Sequence, residues 1–154
     1  MQYWLMKSEP DECSIDDALA APGAITPWTG VRNYQARNYM RDAMHLGDGV
    51  LFFHSSCAEP GIAGLAEVAR IAYPDPTQFE RSSPYFDPKA TRAAPRWFNV
   101  DVRALAKSLL VGLEKLRAQR ALAGMHVLKR GNRLSITPVT AAEWRFITTK
   151  LLHP

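Results

Sequence analysis

Gly61-Ile62-Ala63-Gly64-Leu65-Ala66-Glu67-Val68-Ala69-Arg70-Ile71-Ala72-Tyr73 is the stretch on which the fold turns. Its frequent alanine favours a helix. Gly64 and the β-branched residues favour a strand. We read it as a strand, because glycines at 61 and 64 suit a strongly coiled or bulged strand of the sort that builds a small barrel. Pro74 and Pro76 end it.

The flanking segments extend the sheet. Val50-Leu51-Phe52-Phe53-His54 is too short and too aromatic for a surface helix and reads as a central strand. Val50, Phe52 and His54 share one face, and Leu51, Phe53 and Ser55 the other. Arg96 to Arg103 alternates, with Phe98, Val100 and Val102 inward and Trp97, Asn99, Asp101 and Arg103 on the other face. Tyr3 to Lys7 is a short aromatic strand that ends before Pro10. Leu134 to Val139 is a further strand.

Helices fill the intervals. Ser14 caps a short helix with Asp16 and Asp17 in its first turn, stopped by Pro22-Gly23. Ala36, Tyr39, Met40, Ala43 and Met44 form the inner stripe of a second helix, over 33–44. Leu109, Leu113 and Leu116 predict a third over 109–122, and Thr140-Ala141-Ala142-Glu143 is a capping box opening the last. About five or six strands and four short helices without βαβα alternation exclude a doubly wound parallel sheet. The order fits an α+β fold: a small curved mixed sheet or barrel flanked by helices, one domain over 1–154.

The 154 residues suffice for one real core. A net charge of +4 and a pI of about 9.3 permit a nucleic-acid partner without requiring one. Cys13 and Cys57 stand far apart and form no metal-ligand spacing, so neither zinc nor another cofactor is expected. No apolar run approaches a membrane span, and no signal peptide opens the chain, so a cytoplasmic protein is expected.

Candidate site residues cluster in five places. The turn Pro27-Trp28-Thr29-Gly30 leads into a helix bearing Arg32, Arg37 and Arg41. A flat aromatic beside an electropositive helix start suits a stacked base or a phosphate. A core Trp followed by a solvated helix fits as well. Lys7, Ser8 and Glu9 sit at a strand end, as a solvated turn or as part of a site. His54 and Ser55 end another strand; no second His or Asp nearby in sequence supports a triad. Tyr85, Phe86 and Asp87 lie in a long loop over 77–95 and either line a ligand site or pin the loop. Lys129-Arg130-Gly131-Asn132-Arg133 is a basic turn.

Taken together, these motifs resemble the EVE domain family. The resemblance rests on Tyr3 to Pro10, Trp28 to Asn38, Gly47-Asp48 with Phe52 to Ser55, Gly61 to Gly64, Tyr85 to Lys89, Pro95 to Trp97 with Val100 to Val102, and Arg130 to Ser135. These come in the family's order, cover nearly the whole chain, and match the extent of a stand-alone bacterial member. The resemblance implies a PUA-like fold, a small mixed β-barrel flanked by helices, with kinship to YTH and ASCH domains. It implies a non-catalytic reader of a modified base in DNA or RNA, with modified cytosine in DNA as leading candidate. Carried over motif by motif, the pocket is expected at Lys7, Ser8, Glu9, at Trp28, Gly30, Val31, Arg32 and Asn33, at His54 and Ser55, and at Tyr85, Phe86 and Asp87. Trp28 would be the stacking face and Asn33 an edge reader. Arg37, Lys129 and Arg130 would face phosphates. Thr29 stands where the family often has an acid, and Phe53 and Phe86 where it often has Tyr, which removes polar groups there. The alternative is an enzyme acting on a modified nucleotide through Lys7, Glu9, His54 and Asp87, which requires those four to converge.

Overall fold

The computed structural model describes residues 1–153. Six strands form one mixed sheet: β1 (Tyr3–Ser8), β2 (Ile25–Pro27), β3 (Gly49–His54), β4 (Gly61–Pro74), β5 (Phe98–Gly112) and β6 (Ile136–Val139). Their spatial order is β2-β5-β4-β3-β1-β6. Only β1 and β3 run parallel; the other neighbours are antiparallel. The curved mixed sheet and short helices match the expectation, but the sheet stays open. Its edge strands β2 and β6 are short and carry Pro27 and Pro138, which cannot donate to a further strand.

The stretch 61–74 is a strand throughout. Its curvature comes from register shifts, one between Ile62 and Gly64 where it pairs with β5 and one opposite Phe52 and Phe53 of β3. Gly64 is required there by space. A Cβ would lie 2.4 Å from the Ala106 carbonyl oxygen and 2.7 Å from Ile15 Cδ1.

The helices are α1 (Pro10–Cys13), α2 (Ile15–Ala20), α3 (Tyr34–Asn38), α4 (Leu113–Arg117) and α5 (Ala141–Lys150). Ser14 and Thr140 cap α2 and α5 in full capping boxes. The helix read over 33–44 forms as α3 followed by a π turn, Tyr39–Ala43. The helix read over 109–122 is largely wrong. Leu109 to Gly112 complete β5, because pairing of Val111 with Ile62 and Gly112 with Gly61 outweighs local helical spacing. Only α4 and a single turn at Arg120–Leu122 are helical in the remainder.

Alternation divides the core in two. Trp4, Met6, Val50 and Phe52 pack on one face with Ile15, Trp28, Met40, Val100 and Val102. Leu5, Leu51 and Phe53 pack on the other with Val111, Leu116, Leu122 and Ile147. No helix among the described residues is long and apolar enough to cross a membrane.

Gly64→Ala is expected to destabilise the fold by about 1–3 kcal/mol, the usual penalty of overpacking, since the obstructing atom is backbone and cannot rotate away. A urea titration reads this as a lower midpoint at unchanged slope; an unchanged midpoint would contradict the packing at this bulge.

Candidate functional site

Parallel pairing of β1 with β3 places their C-terminal ends side by side, with Ser8 opposite His54. The chain then leaves both strands together, tied by the Ser55 N–H to the Ser8 carbonyl (3.0 Å). Lys7 is held from its other side by β6's approach, its N–H donating to the Ser135 carbonyl (2.8 Å). Two polar strand ends thus open onto one cavity of about 610 Å³, ordinary for a small-molecule site. Its walls come from Lys7 to Glu9, the first helix's Glu12 and Cys13, the segment Thr26 to Arg32, Ser55 and Ser56, Tyr85, and Arg133 with Ser135.

The segment 28–32 is fixed from behind by a residue that the sequence reading missed. Asp75, just past the end of β4, is fully buried. Its carboxylate accepts from the Gly30 N–H (2.9 Å), Arg32 Nη1 (3.0 Å), the Thr77 N–H (2.8 Å) and the Thr77 hydroxyl (2.6 Å). Burial alone would raise its pKa; these donors lower it below the ordinary carboxylate value. Arg32 also donates to Thr77 Oγ1 and to the Tyr85 carbonyl. Most of its donors are therefore committed inside the protein.

Gly30 has φ +81°, and a Cβ there would meet the Tyr85 ring at 2.7 Å. That close approach seats Tyr85 against the turn, where its ring forms a cavity wall with the Arg32 guanidinium 5.5 Å from its centroid. Burial, and then the nearby Glu12 and Glu9, push the Tyr85 hydroxyl's pKa up. Burial also lowers the Lys7 pKa. Trp28 borders the cavity but is only 7% exposed, with its ring edge-on to Phe52 at 5.6 Å. It is a core residue as much as a wall, so Trp28→Ala cannot be a purely local change.

Of the residues carried over from the family motifs, Lys7, Ser8, Glu9, Trp28, Gly30, Val31, Arg32, Ser55 and Tyr85 line the cavity. Asn33, His54, Phe86 and Asp87 do not. Asn33 is the N-cap of α3, its Oδ1 accepting from the Ala36 N–H (3.0 Å). His54 Nε2 accepts from the Ile15 N–H at the start of α2 (3.0 Å). Asp87 accepts from Trp97 Nε1 (2.7 Å) and pairs with Arg96 (3.3 Å). The Trp97 indole and the Lys89 amide are the leading causes of its lowered pKa. Arg37, Lys129 and Arg130 also lie off the cavity. In the basic turn it is Arg133 that reaches it.

Lys7, Glu9, His54 and Asp87 consequently do not converge, as an enzymatic site would require: only Lys7 and Glu9 face the cavity. Among the described residues no group of three or more His, Cys, Asp or Glu side chains could hold a metal ion.

The curved mixed sheet with its flanking short helices is the PUA-like architecture. Residues 2–150 match the EVE domain, and the chain belongs to that family. It is 43% identical to human "Thymocyte nuclear protein 1" over 162 residues, spanning 94% of this chain and 72% of that protein. The structure is similar to a crystal structure of a Pseudomonas putida protein, with a TM-score of 0.90 and 46% identity, covering 95% of this chain and 97% of that one. It is equally similar to human THYN1 crystallised in complex with 5-methylcytosine-containing DNA, with a TM-score of 0.90 and 42% identity over 96% of this chain and 95% of that one.

Two outcomes test this geometry. Asp75→Asn should cost about 3 kcal/mol, because it leaves the half-buried Arg32 cation without its carboxylate; chemical denaturation measures it. His54 is held neutral: burial lowers its pKa below 6.5. The unfolded chain therefore takes up the proton first, so the stability from this group is complete above pH 6.5 and lost as the pH falls below it. Melting curves between pH 8 and 5 should show that decline. His54→Gln, whose amide oxygen reaches the Nε2 position and can accept the same bond without titrating, should flatten it.

Proposed function

We propose that this chain is a non-catalytic reader of modified cytosine in DNA, drawing one base out of its stack into the cavity at the ends of β1 and β3. The observation that carries this reading is the likeness to human THYN1 in complex with 5-methylcytosine-containing DNA, over nearly the full length of both chains. The cavity's chemistry supports it. An everted base needs an aromatic surface, polar groups at its edge and cations for the adjoining phosphates. Tyr85 and the accessible part of Trp28 would supply the first, at about 1–3 kcal/mol for a stacked base. Glu9, Glu12, Ser8 and Ser55 would supply the second, with a carboxylate suited to cytosine's exocyclic amine. Lys7 and Arg133 would supply the third. The two free cysteines fit a reducing compartment such as the cytoplasm.

The test is a binding series of DNA and RNA oligonucleotides that differ only in one cytosine and its 5-methyl derivative. Tighter binding to methylated DNA, without turnover of the oligonucleotide, is the expected result. Equal binding to both DNAs, or preference for the RNA, would overturn the reading. Tyr85→Ala should weaken binding roughly 5- to 100-fold, the range expected for a lost stacking surface. Lys7→Gln and Arg133→Gln should each reduce the slope of log affinity against log salt by about one.

A further inference from the structure

Outside the cavity, Tyr34 stands 49% exposed at the start of α3. Its ring stacks on Trp97 with centroids 5.0 Å apart and planes inclined by 26°. Two guanidiniums lie against this pair, Arg37 at 4.7 Å and Arg96 at 5.8 Å from the Tyr34 centroid. Arg96 also donates to the Tyr34 hydroxyl. Arg37 is oriented without a carboxylate: it donates to the Arg96 carbonyl (3.0 Å) and, through Nε and Nη2, to Asn38 Oδ1 (3.1 and 2.9 Å). Those bonds leave one N–H on each terminal nitrogen free. Burial first, and then repulsion from Arg41, lower the Arg37 pKa, with Tyr34 and Asp42 acting in the opposite direction. Asp87 and Asp42 are the carboxylates paired here, with Arg96 and Arg41.

This patch is continuous with the cavity. Arg32, a cavity wall, lies 5.5 Å from the Tyr85 centroid on one side and 5.4 Å from the Trp97 centroid on the other. A strand with one base in the cavity would therefore carry its neighbouring backbone past Tyr34. Guanidiniums held against aromatic rings and by hydrogen bonds are already partly ordered, so less entropy is lost when they bind an anion.

We propose that Arg37 and Arg96, seated on the Tyr34–Trp97 stack, form a phosphate clasp for the backbone of the strand whose base enters the cavity. The assignment rests on the reader function proposed above but uses separate residues. A clasp on phosphates positions the strand and carries no base information. Arg37→Gln/Arg96→Gln should thus lower affinity for methylated and unmethylated DNA by the same factor, roughly 10-fold. It should reduce the salt slope by about two and leave the ratio between the two DNAs unchanged. Arg37→Lys, which keeps the charge and loses the fork, should recover part of the loss. Arg145→Gln, on the solvent side of α5, should change nothing. Thermal melts accompany each variant; if the double variant is unfolded at the assay temperature, the single variants Arg37→Gln and Arg96→Gln take its place, each with a salt slope shallower by about one.

Wild-type affinity and salt slope in the folded variants would overturn the clasp and leave the cavity reading standing. So would a loss confined to methylated DNA, which would assign these arginines to base recognition. Conversely, a wild-type protein that binds both DNAs equally while the arginine variants lose affinity would overturn the cavity reading and retain the clasp. Absence of any DNA binding by the wild type would overturn both.

Discussion

The buried Asp75 carboxylate holds the site together. It lies where β4 ends, between two prolines, and takes hydrogen bonds from Gly30, Arg32 and Thr77. A carboxylate removed from water is tolerable only when its lone pairs are filled and a cation is close. Both conditions are met by drawing the 28–32 turn against the start of the long loop. Arg32 then has donors left for the Tyr85 carbonyl, and the Tyr85 ring settles on Gly30, where no side chain can intervene. One ion pair thereby sets the positions of a backbone turn, a cation and an aromatic wall.

A second device anchors the loop's far end. Gln78 is fully buried; its amide donates to the Asp75 and Trp97 carbonyls, and its oxygen accepts from the Arg96 and Trp97 amides. The segment between β4 and β5 is thus clamped at its base although it has little regular structure. This clamp fixes Trp97 under Tyr34 and places Asp87 against the Trp97 indole. The basic patch and the cavity are two ends of one packed arrangement running through Arg32.

Much of this was legible in the sequence where the signal is local. The Ser14 cap, the Thr140 capping box, the alternation of Val50 to His54, and glycines at the β4 bulge follow from short-range rules, and each appears as read. The family motifs bring nine of the named residues to one cavity. Reading failed where a residue's partner is distant. His54 resembles a polar site residue, yet it satisfies the Ile15 N–H at the start of a helix 39 residues before it in the chain. Leu109 to Gly112 carry helical spacing, but β4 supplies a ladder for them. Trp97 and Asn99 were placed on the strand face away from the hydrophobic residues, and both are buried, Trp97 beneath Tyr34 and Asn99 donating to the Thr29 hydroxyl. Asp75 had a legible hint, an Asp before Pro at a strand end. Its buried pairing with Arg32 had none.

By itself, the sequence determined the fold's class, most of the strands that build it, the family and the neighbourhood of the cavity, because these depend on periodicity, caps and motifs within a few residues. Only the tertiary structure decided which polar side chains are free to meet a ligand. That choice depends on long-range hydrogen bonding: a buried N–H or cation takes whichever acceptor the fold brings to it. His54 and Asp87 were taken in that way, whereas Lys7, Tyr85 and Arg133 were left facing the cavity.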